Sequence, residues 1–123
     1  SHASPGMSTN PNVESWDVSN VTAMNVAFTG CSLDRDLSAW NLSSITNISS
    51  FADRMTHSKA RASLIGWANN ANTNTGVNAA GLFGNRSWSQ SAYPAAKAAY
   101  DTLVDSVANG GKAWTITQIT WTA

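Results

Sequence analysis

The sequence predicts one α/β domain, a short solenoid of about two coils with a C-terminal α/β cap. Three observations carry this expectation: a block beginning at Trp16 that recurs at Trp40, a helical run from Ser91 to a Gly-Gly stop, and an alternating tail that reads as strand. With 123 residues the chain is of single-domain size, enough to bury a modest core and small enough that oligomerisation would add useful stability.

The repeat comes first in the chain. Trp16-Asp17-Val18-Ser19-Asn20-Val21-Thr22-Ala23-Met24 aligns with Trp40-Asn41-Leu42-Ser43-Ser44-Ile45-Thr46-Asn47-Ile48, a period of about 24 residues, in the range of leucine-rich repeats. The expected fold is therefore leucine-rich-repeat-like. The pairs Trp16/Trp40, Val18/Leu42, Val21/Ile45 and Met24/Ile48 should stack as a ladder, with Leu33 and Leu37 on the return leg. Residues 7–57 are assigned to the two coils and 58–123 to the cap. Ser1–Gly6, reading SHASPG ahead of Met7, looks like an expression scar and is set aside.

Two coils leave an apolar face open, so the remainder should cover it. Ser58–Asn69 places Ala62, Leu64, Ile65 and Ala68 at spacings of one helical face, and the Asn-rich stretch Asn69–Asn78 reads as a loop. In the run from Ser91, Pro94 marks a helix start, Ala96, Ala99, Tyr100, Leu103, Val104 and Val107 form its apolar face, and Gly110-Gly111 stops it. The tail alternates from Trp114 to Thr117 and shifts phase before Ile119, which predicts one strand bulged at Gln118 or two short strands.

The blocks WDVSNVTAMNVAF and WNLSSITNISSF resemble the surface-protein repeat of BspA-like leucine-rich-repeat proteins. The first is nearly a consensus copy, and the second departs from it at Asn41 and Ile48. LIGWANN, LFGNRSW, AKAAYDTL and AWTIT are similar to the cap that follows such repeats, so the resemblance spans roughly Val13 to Thr117. It implies a curved solenoid used for attachment, on cell surfaces, lipoproteins or tail fibres, with no general catalytic motif and no single ligand. It also implies a structural role for Asp17, capping the turn that follows.

Composition narrows the function classes. Only 11% of residues are charged and the formal net charge is zero, which is unsuited to the phosphate backbone of nucleic acid. Ser, Thr and Asn supply about a third of the chain, and six Trp with a 42% apolar fraction keep it in the folded class. No apolar run is long enough to cross a bilayer, and no signal peptide is recognised. Cys31, the single cysteine, reads as a small buried hydrophobe.

Outside the leader the one histidine is His57, without a nucleophile or a second His, so no catalytic residue is assigned and an enzyme is not expected. Asp34-Arg35-Asp36 lacks the oxygen density that calcium needs, and no metal or cofactor is expected. Trp16, Trp40 and Trp67 are expected in the core. Trp88, in a Gly-Asn-Arg-Ser-Trp-Ser loop, and Trp121, near the C-terminus, are the aromatic candidates for stacking on a sugar. Arg86, with Asn72 and Asn74 of the Asn-rich loop, would add amide and guanidinium contacts.

The expected function is an extracellular recognition module at the tip of a fibre or surface protein, meeting a target-cell glycan or protein receptor. A homotrimer is the favoured assembly. The alternative is a trimerising or capping element of a fibre with no ligand of its own.

Overall fold

A computed structural model describes residues 10–123. The leader Ser1–Gly6 and the start of the first coil at Met7 lie outside the described residues. The chain forms α1 (His57–Asn69), β1 (Asn78–Ala79), β2 (Arg86–Ser89), α2 (Pro94–Val104), a 3₁₀ turn (Val107–Asn109), β3 (Thr115–Ile116) and β4 (Ile119–Thr122).

The organising feature is a parallel ladder that joins segments far apart in sequence. Ala23 bridges to Asn47, Asn47 to Asn78, and Asn78 pairs with Thr115, at spacings of 24, 31 and 37 residues. Backbone bonds on either side extend each rung. Met24, Val26 and Phe28 donate to Asn47, Ser49 and Phe51, while Ile48, Ser50 and Ala52 donate to Asn78, Ala80 and Leu82. The ladder thus joins residues on both sides of residue 57. The third and fourth rungs are spaced more widely because α1, then β2 and α2, are inserted between them.

Two tryptophans tie together segments 27 and 30 residues apart. The Trp40 indole N–H donates to the Val13 carbonyl at 3.0 Å, and the Trp67 indole N–H to the Leu37 carbonyl at 2.8 Å. Both accepting carbonyls lie three residues before the preceding tryptophan of the series. Each indole therefore closes its polar edge on the coil before it while its rings fill the core. Trp16 does not follow this pattern. Expected in the core, it is 55% exposed, because no coil precedes it among the described residues to offer a carbonyl or an apolar wall. Val21 and Met24 of the same coil are half-buried, whereas Ile45 and Ile48 one coil on are fully buried.

Helix α1 turns a different face inward from the one its spacing suggests. Ala60, Ser63, Leu64 and Trp67 are buried; Ala62, Ile65 and Ala68 are only half-buried. The rotation is imposed by Trp67 reaching Leu37 and by Gly66 lying against Ser38. The Ser63 hydroxyl inside accepts from the Leu37 N–H at 3.0 Å and donates to the Lys59 carbonyl at 2.8 Å, so this polar group is buried without loss.

Helix α2 packs on α1 through Ala96, Ala99 and Leu103, with Pro94 in its first turn. It ends at Val104, before Val107, which is 57% exposed rather than on the helix's apolar face. Asp105 leaves the helix in an extended conformation, and its carbonyl accepts from the Ala113 N–H at 2.7 Å, which turns the chain back through Gly110. The tail is two strands, not one. β3 pairs with β1 and β4 with β2, both in parallel, and Gln118 between them has φ of 71°.

Candidate functional site

The residues singled out from sequence fall into two different environments, some buried and some exposed. Trp88 and Arg86 lie on β2 rather than in a loop, and the strand's alternation turns both inward: Trp88 is 3% exposed and Arg86 7%, with Ser87 outside. The expectation that they form an exposed recognition surface is therefore corrected. Trp121 is half-buried on β4, directly opposite Trp88 in register, with ring centroids 5.5 Å apart, and Tyr100 covers its other side at the same distance.

Asn72 is exposed. Asn74 instead holds coils together, since its Nδ2 donates to the Ile45 carbonyl at 2.8 Å and its own carbonyl accepts the Trp114 indole N–H at 2.8 Å. Much of the remaining Asn and Asp content is spent on turns. Asp17, Asp36, Asn41, Asn47, Asn70 and Asn78 each accept, through the side chain, the backbone N–H two residues on. Asp17 also accepts from the Ser19 hydroxyl at 2.6 Å, and these two bonds hold its carboxyl below the ordinary value. Asp34 accepts from both the N–H and hydroxyl of Thr56 at the head of α1.

His57, the first residue of α1, connects the helix to β2. Its Nδ1 accepts the Trp88 indole N–H at 2.8 Å and faces Arg86 Nη1 at 3.2 Å. Arg86 Nε donates to the Phe83 carbonyl at 2.8 Å, while its Nη2 is buried with no partner among the described residues. Desolvation, with the Arg86 and Arg61 guanidiniums close by, lowers the His57 pKa. Burial likewise lowers that of Arg86, an effect that Asp53 opposes. Beside this cluster the Arg61 guanidinium sits 3.6 Å over the Tyr93 ring centroid, a cation–π contact at the surface.

A second region emerges only from the ladder. Val26, Ser50, Gly81 and Gln118 all have left-handed backbones, with φ of 54°, 49°, 65° and 71°, and each lies three residues after a rung residue. Stacked rungs therefore stack their corners. Three of the four are not glycine, which places backbone strain of about 1–3 kcal/mol per residue along one edge of the molecule. Over the last three corners runs an open groove of about 370 Å³ lined by Thr29, Ser50, Asp53, Gly81, Gly84, Asn85 and Gln118. The Thr29 hydroxyl donates to the Ser50 carbonyl, and Asp53 Oδ1 accepts the Gly30 N–H at 3.0 Å. None of these groove residues was singled out from sequence as a binding residue; Gln118 was named only as the break in the tail. The available signal was the third and fourth copies of the corner, hidden by the unequal spacing of the rungs.

Among the described residues no group of three or more His, Cys, Asp or Glu side chains is placed to hold a metal ion, and no helix is long and apolar enough to cross a membrane. A family model described as a Mycoplasma protein of unknown function, DUF285, matches residues 4–91, which takes in three rungs, α1, β1 and β2 but not α2, β3 or β4. No curated protein and no solved structure matches the chain.

Proposed function

The chain belongs to the DUF285 family, and from that premise we propose that it is an extracellular recognition module carried on a cell or fibre surface, which binds a target-cell glycan or surface receptor without transforming it. Within this reading the parallel ladder is a short leucine-rich-repeat-like solenoid of the BspA-like kind. The observation that carries the proposal is the corner groove. An open, polar concavity built on a hydrogen-bonded ladder is the form of a binding surface, and its Ser50, Asn85 and Gln118 side chains are exposed and make no hydrogen bond among the described residues. The uncharged polar surface favours a glycan over nucleic acid or a strongly charged partner.

A second reading, an assembly element that trimerises or caps a fibre, is favoured by the open first coil, where Trp16 and Val26 are 55% and 59% exposed. Light scattering of the purified domain, together with a glycan array and a panel of surface-protein receptors, separates the two. Specific binding to a sugar class or receptor supports recognition. A trimer that binds nothing on either panel supports the assembly reading and sinks the first.

A further inference from the structure

The groove's lining says more about its ligand than the general reading does. Its side chains are two amides, Asn85 and Gln118, one carboxylate, Asp53, and two hydroxyls, Ser50 and Thr29. Among the described residues the Ser50 hydroxyl and the side-chain amides of Asn85 and Gln118 make no hydrogen bond within the chain. Asp53 uses only one carboxylate oxygen, on Gly30, and leaves the other free. All five side chains belong to exposed residues. The glycines form the floor. A Cβ on Gly81 would stand in ordinary contact with Gln118 Oε1 at 3.4 Å and Ser50 Oγ at 3.5 Å, while one on Gly84 would press on Asp53 Cβ at 3.2 Å, and both positions have left-handed backbones that favour glycine.

We propose that this groove binds a neutral saccharide edge-on, through hydrogen bonds from Asp53, Asn85, Gln118 and Ser50 to ring hydroxyls. The proposal rests on the recognition reading and names the ligand chemistry of that site. Each sugar hydroxyl both donates and accepts. An amide offers both functions in return, and a carboxylate accepts two adjacent hydroxyls in charge-assisted bonds. Among the described residues no Lys or Arg lines the groove, and Asp53 would repel an acidic sugar. No aromatic among them lines it either, so the sugar is held by its edge rather than stacked on an indole. A peptide ligand would need a pocket for an apolar side chain, and the described lining offers nothing more apolar than glycine and a threonine methyl. A volume near 370 Å³ lies at the small end of ligand sites and suits one or two sugar rings.

The test is a titration of the ¹⁵N-labelled domain with neutral oligosaccharides of hexose and N-acetylhexosamine, beside their sialylated counterparts. The variants are Asn85→Ala, whose side chain bonds to nothing in the fold, and Asp53→Asn, which keeps the acceptor for Gly30. Thermal melts of both establish that they fold. The expected result is a shift of the Gly81 and Gly84 amide signals and of the Asn85 and Gln118 side-chain signals with a neutral sugar. Each variant should weaken binding about tenfold or more, and sialylation should not improve it. A sugar that binds with these signals unmoved and the variants unimpaired overturns the groove assignment and leaves the recognition reading standing. No binding of any neutral sugar at millimolar concentration also overturns it, and the recognition reading is then decided by the receptor panel alone.

Discussion

The Nδ1 atom of His57 accepts the indole N–H of Trp88 at 2.8 Å while Arg86 Nη1 lies 3.2 Å away, so the ring must be neutral with Nδ1 unprotonated. A proton at Nδ1 would turn this acceptor into a donor facing two other donors. The contact joins the head of α1 to β2, and through Trp121 to β4, which makes one imidazole a tie between three elements.

Stability should therefore fall on mild acidification. The folded pKa of His57 lies below its ordinary value of 6.5, so its contribution is complete above about 6.5 and is lost as the pH falls through the folded value. Asp17, also lowered, acts in a separate window below 3.8. Thermal melts followed by circular dichroism from pH 7.5 to 4.5 should show a decline that His57→Gln largely removes, since the amide oxygen can still accept from Trp88. An equal decline in the variant would mean that other groups govern the acid response.

The tryptophans of the repeat should differ sharply in their contribution to stability. Trp67→Ala removes a fully buried indole and one of the two donors to the Leu37 carbonyl, the Trp40 N–H being the other, and should cost about 3–5 kcal/mol in urea titration. Trp16→Ala should cost less than about 0.5 kcal/mol in the isolated domain. If Trp16→Ala is as damaging as Trp67→Ala, the first coil is covered in solution.

Gly66 inverts the usual helix preference. Alanine is normally the better helix former by about 1 kcal/mol. Here a Cβ would lie 2.3 Å from both the Cβ and the carbonyl oxygen of Ser38, and that backbone is held between Leu37 and Trp40. The expected outcome of Gly66→Ala is a net loss of about 1–3 kcal/mol by equilibrium unfolding. A neutral or stabilising effect would show that α1 can slide away from the second coil.

Asn72 and Asn74, neighbours in one Asn-rich loop, should separate by role. Asn74→Ala gives up the bond to the Ile45 carbonyl and should cost about 1 kcal/mol, whereas Asn72→Ala should fall within about 0.5 kcal/mol of the parent. Equal unfolding midpoints for the two variants would remove Asn74 from the framework.

How far the chain could be read without its fold differs from element to element. The block from Trp16 to Met24 and its copy were legible because their spacing is regular. A similar contact recurs further along the chain: Asn10 Oδ1 accepts the Asp34 N–H at 2.8 Å, and Asp34 Oδ1 accepts the Thr56 N–H at 2.8 Å. The match of Val13 to Leu37 was a signal for this in the sequence. Helix α2 was legible from Pro94 onward, but its end was not, because Asp105 is held outside the helix by Ala113, a residue beyond the stop signal. Arg86 and Trp88 were misplaced for a related reason. A four-residue strand carries too little alternation to declare itself, and β2 exists through pairing with β4, some thirty residues later.

Local spacing was thus enough to locate the two helices and an extended tail, one bulged strand or two short ones, since each depends on side chains a few residues apart. Which faces turn inward, that the ladder continues past Asn47 to Asn78 and Thr115, and that Ser50, Gly81 and Gln118 meet along one groove were decided by contacts between residues 24 to 37 positions apart. The physical reason is that a parallel rung is stabilised by its neighbour rather than by its own sequence. Insertions of unequal length leave the rungs in register in space while erasing the period by which a sequence could reveal them.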